Sequence, residues 1–512
     1  MNQSIHRTEI SPALTAMILG AVIIIAAGLR FNLLGAHSLW VDEAASARFA
    51  TLPWRPFLHT LWSYQGNMAL YYVLLRAWMH LGDSEFMVRS LGVLFGVLTI
   101  PTIYALGKRL FDRTTGLTAA ALLSVHSFHI LWSQQARAYS FVLLLLVLAT
   151  YFLVRAMESN DSSFHWAVFA TVAALSVYAH IFAVLVLAAH AISILSPKPY
   201  RVSARNLLLT AILFEHLIAP MAIFVLFNLR SSQLNWVPQP SLGEFWGVLQ
   251  LLTSQGGKVL VVFYLTLCSL AFLSPAGAQR SEKEYWSLRL MALWLILPPV
   301  LTLAISPIKP LFDPGFMVLC VPALVMLAAR GLTKLTAVPV VRSWAAFAAF
   351  VIVMSLSLAS NRRPPSYRIT LNADWRSAVN YVLQHEQPGD GAVFYVPNVY
   401  PYVYYAHRAA ETQHRASAAP DVLYPPDVWQ PLSREEIENV TSGHRRVWLI
   451  LHNESFNPNA AFIMESTLRE RFGLPDERVF SGEAMPIKVQ LYGPIQALQV
   501  EDPITNNLIT NR

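Results

Sequence analysis

Charge is scarce in this sequence. Asp, Glu, Lys and Arg together make up 13% of its 512 residues, against about 25% in soluble globular domains. Hydrophobic residues account for 55% of the chain, and the mean hydropathy is +0.44. The apolar residues come in long runs rather than as strand alternation or one-sided helical stripes. That pattern excludes an ordinary soluble domain and argues for spanning helices. Cysteine is nearly absent: Cys268 and Cys320 both lie inside apolar runs, form no CxxC or zinc pattern, and read as small core residues. There is no tandem repeat and no low-complexity tract. A net charge of +7 would suit nucleic acid, but the positions of the charges argue against that partner.

Eleven candidate spans fall near 13–34, 87–107, 116–132, 139–155, 164–179, 181–196, 206–228, 257–274, 287–305, 316–333 and 341–360. Several are shorter than the roughly 20 residues of an ideal span. Orientation follows from the short linkers KRLFDR (108–113), SPKPYRVSAR (196–205), AQRSEKE (278–284) and ARGLTK (329–334), which hold clustered Lys and Arg. With a cytoplasmic N-terminus all four face the cytoplasm, as the positive-inside rule requires. No small-residue cleavage site follows the first span, so it reads as an uncleaved anchor.

This orientation sends a long first loop (about 35–86) to the outer face, together with SQQARAY (133–139), the stretch 228–246, SPIKPLFDPGF (306–316) and everything past residue 360. Past that point NADWRSAVNYVLQHEQPGDGAVFYVP (372–397) reads as a capped helix, a turn and a strand. Further strands are expected at 445–453 and 487–494, with a helix at 460–472 between them. The expected architecture is mainly α. A polytopic membrane domain (1–360) of about eleven transmembrane helices precedes a soluble α/β periplasmic domain (361–512), which ends in a loose polar tail.

The chemistry is therefore sought outside. In SLWVDEAASARFA (38–50), Asp42 and Glu43 form an acidic pair just beyond the first span. Arg137, in a polar cluster between two spans, runs against the positive-inside bias, as does Arg230. For one arginine taken alone, snorkelling or a structural ion pair is the ordinary explanation. If the cluster begins a helix, Gln134, Arg137 and Tyr139 face a common cavity. A guanidinium fork binds two phosphate oxygens at once, and a nearby carboxylate can take a proton from an attacking hydroxyl. A divalent metal is the competing use of Asp42 and Glu43, but their neighbourhood supplies no clear extra ligands, so no metal site is assigned and no cofactor is firmly expected. The plainer role is a helix-start carboxylate pair.

At these residues the chain resembles a known family. LWVDEAASARFA (39–50), GNMALYYVLLRAWMHLGDSEFMVRSLGVLFGVLTIPTIYALGKRLF (66–111), FHILWSQQARAYSFVLLL (128–145) and YAHIF (178–182) are similar to bacterial C-type membrane glycosyltransferases, relatives of the protein O-mannosyltransferases and lipid A aminoarabinose transferases. The resemblance covers about 30–200 well and continues more loosely into the tail. It implies an inverting transferase using a polyprenyl-phosphate sugar, with Asp42 near the acceptor and Glu43 its neighbour. Arg137 matches the arginine of the family's Gln-Glu-Ala-Arg-x-Tyr segment, where Gln135 stands in place of Glu. Asn67 to Tyr72 match the family's Asn-x-Pro-Leu-Tyr-Tyr loop. Gly315-Phe316 stands where the family has Arg-Tyr, which leaves Lys309 as the substitute phosphate ligand.

Glu215-His216 lies mid-span, where ionisable residues are functional candidates by default; pairing with another span is the alternative. His180 and Trp236 are candidate substrate contacts beside Asn67 and Tyr71, weighed against packing and interfacial anchoring. His126 and His129 read as structural. The sequence thus points to a hexosyl- or pentosyltransferase in the bacterial inner membrane. It would move sugar from a polyprenyl-phosphate donor to a lipid, glycan or protein acceptor. The rivals are a transporter or flippase of a lipid-linked sugar, for which repeats and broken helices would be expected, and a non-catalytic assembly subunit.

Overall fold

The computed structural model describes residues 11–63, 65–159, 162–195, 199–228, 240–273, 280–335, 341–361, 373–395, 399–413, 421–423, 432–452, 454, 457–481 and 486–493. The chain divides into two units, Met1–His37 with Asp42–Ile369, and Ser38–Val41 with Thr370–Arg512.

Unit one is helical. Its first half holds α1 (Pro12–Phe31), α2 (Val41–Thr51), α3 (Trp54–Ser63), α4 (Ala69–Trp78), α5 (Glu85–Leu110), α6 (Arg113–Val125), α7 (Ser127–Ser133) and α8 (Tyr139–Glu158). Then come α9 (Ser163–Ala179), α10 (Ala183–Leu195), α11 (Ala204–Asn228), α12 (Leu242–Leu252) and α13 (Gly257–Ala271). The last three are α14 (Glu282–Ile305), α15 (Val321–Leu335) and α16 (Val341–Ser360). Polar caps start several of them: Ser11, Ser84, Asp112 and Ser281 each accept a backbone N–H of the first turn of α1, α5, α6 and α14.

Among the described residues, six segments are long and apolar enough to cross a membrane: α1, α5, α8, α11, α14 and Pro314–Leu335, which contains α15. Two more pass as bent pairs, α6 with α7 at 63° and α12 with α13 at 69°. The shorter apolar helices α9, α10 and α16 account for the rest of the eleven expected segments. Length and composition thus support six to eight crossings. Broken helices are present after all, so they do not by themselves separate a transferase from a transporter.

The bend between α6 and α7 has a visible cause in another helix. Arg30, fully buried in the last turn of α1, donates to the carbonyls of Leu123 (3.2 Å) and Ser124 (2.9 Å) and to Nδ1 of His129 (2.7 Å). It satisfies carbonyls that the break frees. His126, at the break itself, bonds through Nε2 to the Leu252 carbonyl at the end of α12 (2.9 Å). Both histidines serve the scaffold.

Unit two holds α17 (Trp375–His385), α18 (Val399–Gln413), α19 (Arg434–Val440) and α20 (Pro458–Phe472). Its strands are β1 (Gly391–Phe394), β2 (Asp421–Val422), β3 (Val447–His452), β4 (Asp476–Phe480) and β5 (Ile487–Tyr492). They form one sheet in the order β2-β1-β3-β5-β4, parallel from β2 to β3 and antiparallel beyond. The parallel strands β1 and β3 are buried throughout, as strands of a parallel sheet usually are. Ser38–Val41 belongs to this unit: the Leu39 amide donates to the Tyr405 hydroxyl (2.8 Å) and the Arg376 amide to Ser38 Oγ (3.1 Å). The sequence reading keeps those four residues in the first loop, because nothing local announces bonds to residues more than 300 positions away.

Candidate active site

The site grows from the first turn of α2. Glu43 is completely buried there, and Arg89, near the start of α5, grips it with both prongs. Nε donates to Oε1 at 2.9 Å and Nη2 to Oε2 at 2.6 Å. The remaining nitrogen, Nη1, donates to the carbonyls of Leu34 (3.0 Å) and His37 (2.8 Å). Oε1 of Glu43 also accepts the backbone N–H of Ala136 at 2.8 Å. One carboxylate thus ties α2, α5 and the turn before α8 together. Forked, charge-assisted bonds of this kind are the strong ones.

That turn can reach Glu43 because α5 lets it come close. A Cβ on Gly92 would stand 2.7 Å from the Gln135 carbonyl and 2.9 Å from that of Ser133, and one on Gly96 would strike the Ser133 side chain. Two glycines one helical turn apart make a flat seat for the backbone.

The clamp fixes its neighbours. Asp42 precedes Glu43 and Arg137 follows Ala136, and the two meet: Nη2 of Arg137 lies 3.6 Å from Oδ2 of Asp42. Both side chains keep some access, 14% for Arg137 and 29% for Asp42. Nη1 of Arg137 reaches Ser46 Oγ and the Tyr72 hydroxyl, each at 3.4 Å. Tyr72 in turn donates to Gln65 Oε1 at 3.3 Å. Burial pushes the Tyr71 and Tyr72 hydroxyls above the usual phenol range, Arg137 partly opposing the rise, so both remain protonated and available as donors.

A second layer joins from the α9–α10 turn. Asn67 Oδ1 accepts the Ile181 amide at 2.9 Å, holding that turn against the residues before α4. Burial, with Arg137 adding, pushes His180 down to about 3, so the ring is neutral. Its Nδ1 accepts the Phe182 amide at 3.2 Å, which places the proton on Nε2. Nε2 of His180 and the Tyr71 hydroxyl are both buried, and neither finds a hydrogen-bond partner among the described residues. The Tyr139 ring lies 5.3 Å from His180 and 6.4 Å from Phe316, and Phe316 packs 5.6 Å from His180. The Asp313–Phe316 turn is thereby brought to the same place.

Of the residues expected from sequence, Asp42, Arg137, Tyr71, Tyr139, Asn67 and His180 converge here. Two others are occupied elsewhere. Glu43 is enclosed by Arg89 and the Ala136 amide, so both of its oxygens are already bonded. The Gln134 amide donates to the carbonyls of Leu29, Arg30 and Asn32 at 3.4, 3.2 and 3.0 Å; it caps α1 instead of facing a phosphate. Lys309 is half-buried in the turn after α14, with its amide on the Ile305 carbonyl. Trp236 and Arg230 lie outside the described residues. Among the described residues no group of three or more His, Cys, Asp or Glu side chains gathers as a metal site. Arg89 and Ser46 were missed, though Ser46 stands four residues after Asp42 on a helix, and Tyr72 was singled out only as part of the Asn67–Tyr72 loop. Arg89 carries the same signal as Arg137, an arginine on the side where arginines are few.

The opposite ends of the same helices carry a different network. Arg109 pairs with Glu158, which also takes Lys283 at 2.9 Å; Arg330 bridges Asp112 (2.6 Å) and Glu284 (2.8 Å); Lys334 joins Glu284 at 3.1 Å. Arg89 and Arg109 sit near the two ends of α5. At about 1.5 Å per residue they are roughly 30 Å apart, the thickness of a bilayer's hydrocarbon core.

Residues 69–227, less than half of the chain, match the family described as dolichyl-phosphate-mannose-protein mannosyltransferase. The fold is similar to that of ArnT from Cupriavidus metallidurans bound to undecaprenyl phosphate, with a TM-score of 0.53, 10% identity and coverage of 93% of this chain and 97% of that one. Over residues 69–227 the chain is similar to the dolichyl-phosphate-mannose-protein mannosyltransferases. It is also similar to the oligosaccharyltransferase AglB from Archaeoglobus fulgidus in complex with an inhibitory peptide and a dolichol-phosphate. That match has a TM-score of 0.53 and 12% identity, and covers 96% of this chain and 75% of that one. At such identities the likeness speaks for the fold. No curated protein sequence matches the chain. The stretch matched to this glycosyltransferase family contains Asn67's neighbours Tyr71 and Tyr72 together with Arg89, Arg137 and His180, while Asp42 lies ahead of it.

Proposed function

We propose that the protein is an inverting membrane glycosyltransferase that moves a sugar from a polyprenyl-phosphate donor to an acceptor hydroxyl at the outer face of the bacterial inner membrane. The observation that carries this reading is the meeting of Asp42 and Arg137 at 3.6 Å, on the end of the bundle away from the Lys- and Arg-rich linkers. The positive-inside rule makes that end the outer one. Arg137 holds the donor phosphate. Asp42 takes the proton of the acceptor hydroxyl while its oxygen bonds to the anomeric carbon, and the bond from that carbon to the phosphate oxygen breaks. Polyprenyl phosphate leaves with the bonding pair, its charge facing the guanidinium. The Tyr71 hydroxyl and His180 Nε2, buried without a partner among the described residues, supply contacts to the sugar or phosphate. Unsatisfied buried polar atoms are costly, and a substrate that bonds them recovers that cost.

Purified protein in lipid nanodiscs, assayed with a panel of polyprenyl-phosphate sugars and candidate acceptors, tests the reading. At least one donor should be consumed. Asp42→Asn should lower turnover by about 10² to 10⁴, the usual range for loss of a general base, with donor binding retained. Normal turnover in Asp42→Asn would return the acidic pair to a purely structural role.

A further inference from the structure

The outermost surface of α11 carries a pattern that the transfer chemistry does not use. This helix packs on α9, where its Leu217 carbonyl accepts the Tyr178 hydroxyl at 2.8 Å, and Asn206, Met221 and Phe224 are its buried residues. Among the described residues nothing covers the other face. Leu208, Ile212, Glu215, Ala219, Ala222 and Leu226 are all exposed, and their spacing alternates four and three residues. Residues so spaced lie along one stripe of the helix, the stripe through which two parallel helices can meet. Two alanines in the seam permit close approach of backbones, as helix contacts inside membranes favour.

At the middle of the seam, and of the helix, stand Glu215 and His216, both exposed and without an ion-pair partner among the described residues. His216 Nδ1 bonds to the Ile212 carbonyl at 2.7 Å. A carbonyl only accepts, so Nδ1 carries the hydrogen and Nε2 is left for another partner. Pro220, four residues on, has no amide hydrogen for the His216 carbonyl. Three polar groups therefore share one level of a helix whose flanks are hydrocarbon. Lipid tails offer them nothing, and exposed ionisable groups at this depth are strongly disfavoured.

We propose that α11 is the contact surface for a second copy of this chain, with Glu215 of each copy paired to His216 of the other. The argument for a second copy is self-complementarity. A two-fold axis along the membrane normal brings two parallel α11 helices together at the same height. The acidic residue then meets the neighbouring imidazole twice. Each pair is net neutral whether the proton sits on the carboxyl or on the ring, as a low-dielectric setting requires. This proposal rests on α11 crossing the membrane and on nothing about sugar transfer.

The test uses the full chain in phosphatidylethanolamine and phosphatidylglycerol vesicles, with subunits counted by single-molecule photobleaching and no activity read. Wild type should be dimeric. Oxidation should cross-link Ala219→Cys between copies, while Ile24→Cys, exposed on α1, stays uncoupled. Glu215→Leu and His216→Leu should each lose the dimer, and the exchanged variant Glu215→His with His216→Glu should regain it. That exchange keeps both side chains in the protein, so its behaviour does not depend on how the leucine variants fold. A monomeric wild type, equal cross-linking at residues 219 and 24, coupling to a different protein only, or failure of the exchange to restore the dimer would each overturn the proposal.

Discussion

The two ends of the helical unit both hold arginine–carboxylate pairs, yet they use them differently. At the end of α5 that bears Asp42, the Glu43 carboxylate has no exposure and Arg89 has 6%, and the pair is bonded to backbone from two further segments. At the other end Arg109, Glu158 and Lys283 keep 31%, 23% and 45% and bond mainly one another. Water competes for the charges of that network and not for the Glu43–Arg89 pair. Buried, fully bonded charge fixes geometry, because removing one partner strands the other. Half-exposed charge contributes little to stability. The rigid pair is thus the one that holds the Ala136–Arg137 turn beside α2.

Breaking the buried pair should give the largest effect. Arg89→Ala should destabilise the protein by about 3–5 kcal/mol, seen as a lower melting temperature and a lower yield of monodisperse protein in detergent. The double change Glu43→Leu with Arg89→Leu should recover much of that loss, since apolar replacements of buried pairs are often tolerated. Turnover should stay low, because the Ala136–Arg137 turn has lost its tether. Recovery of both stability and turnover would mean that the clamp does not position the site.

Arg137→Lys should act at an intermediate level. The charge stays while the fork goes, so affinity for polyprenyl phosphate should fall about tenfold, the worth of one charge-assisted hydrogen bond. Equilibrium binding reads this, with an unchanged melting curve as the control. Unchanged binding would make Arg137 a partner of Asp42 alone. The smallest effect belongs to the other end. Glu158→Gln should change stability by no more than about 1 kcal/mol and become silent at high salt. A loss as large as that of Arg89→Ala would erase the difference between the ends.

Much of this was legible in the sequence for a physical reason. Apolar runs such as TAMILGAVIIIAAGL (15–29) can lie in lipid with no partner, so their helices depend on local composition. Asp42 and Arg137 stood out because each is a charge at a place where charge is disfavoured. What remained hidden depends on distant partners. The break at His126 has no glycine or proline beside it and is supported by Arg30, from another helix. The membership of Ser38–Val41 in the second unit rests on Tyr405 and Arg376. The strand β4, DERVF at 476–480, is mostly exposed and polar, so neither alternation nor hydrophobicity announces it; its partner β5 does. Gln134 shows the reverse error: its position in the polar cluster suggested a ligand, and the carbonyls that end α1 claimed it.

The clamp at Glu43 also sets a schedule. A chain leaves the ribosome from its N-terminus, so the carboxylate is made 46 residues before the guanidinium that encloses it and 93 before the amide that completes its bonding. Until α5 is in place, the start of α2 has no reason to be buried, and it must stay hydrated at the surface. Until the turn ahead of α8 settles on Gly92 and Gly96, Arg137 is not beside Asp42 at all. Nascent chains halted short of residue 136 hold every atom of the acidic pair but not the guanidinium that meets Asp42. The pairing of Asp42 with Arg137 forms only once the first half of the helical unit is in place, and on the function proposed above a shorter nascent chain would lack the donor site.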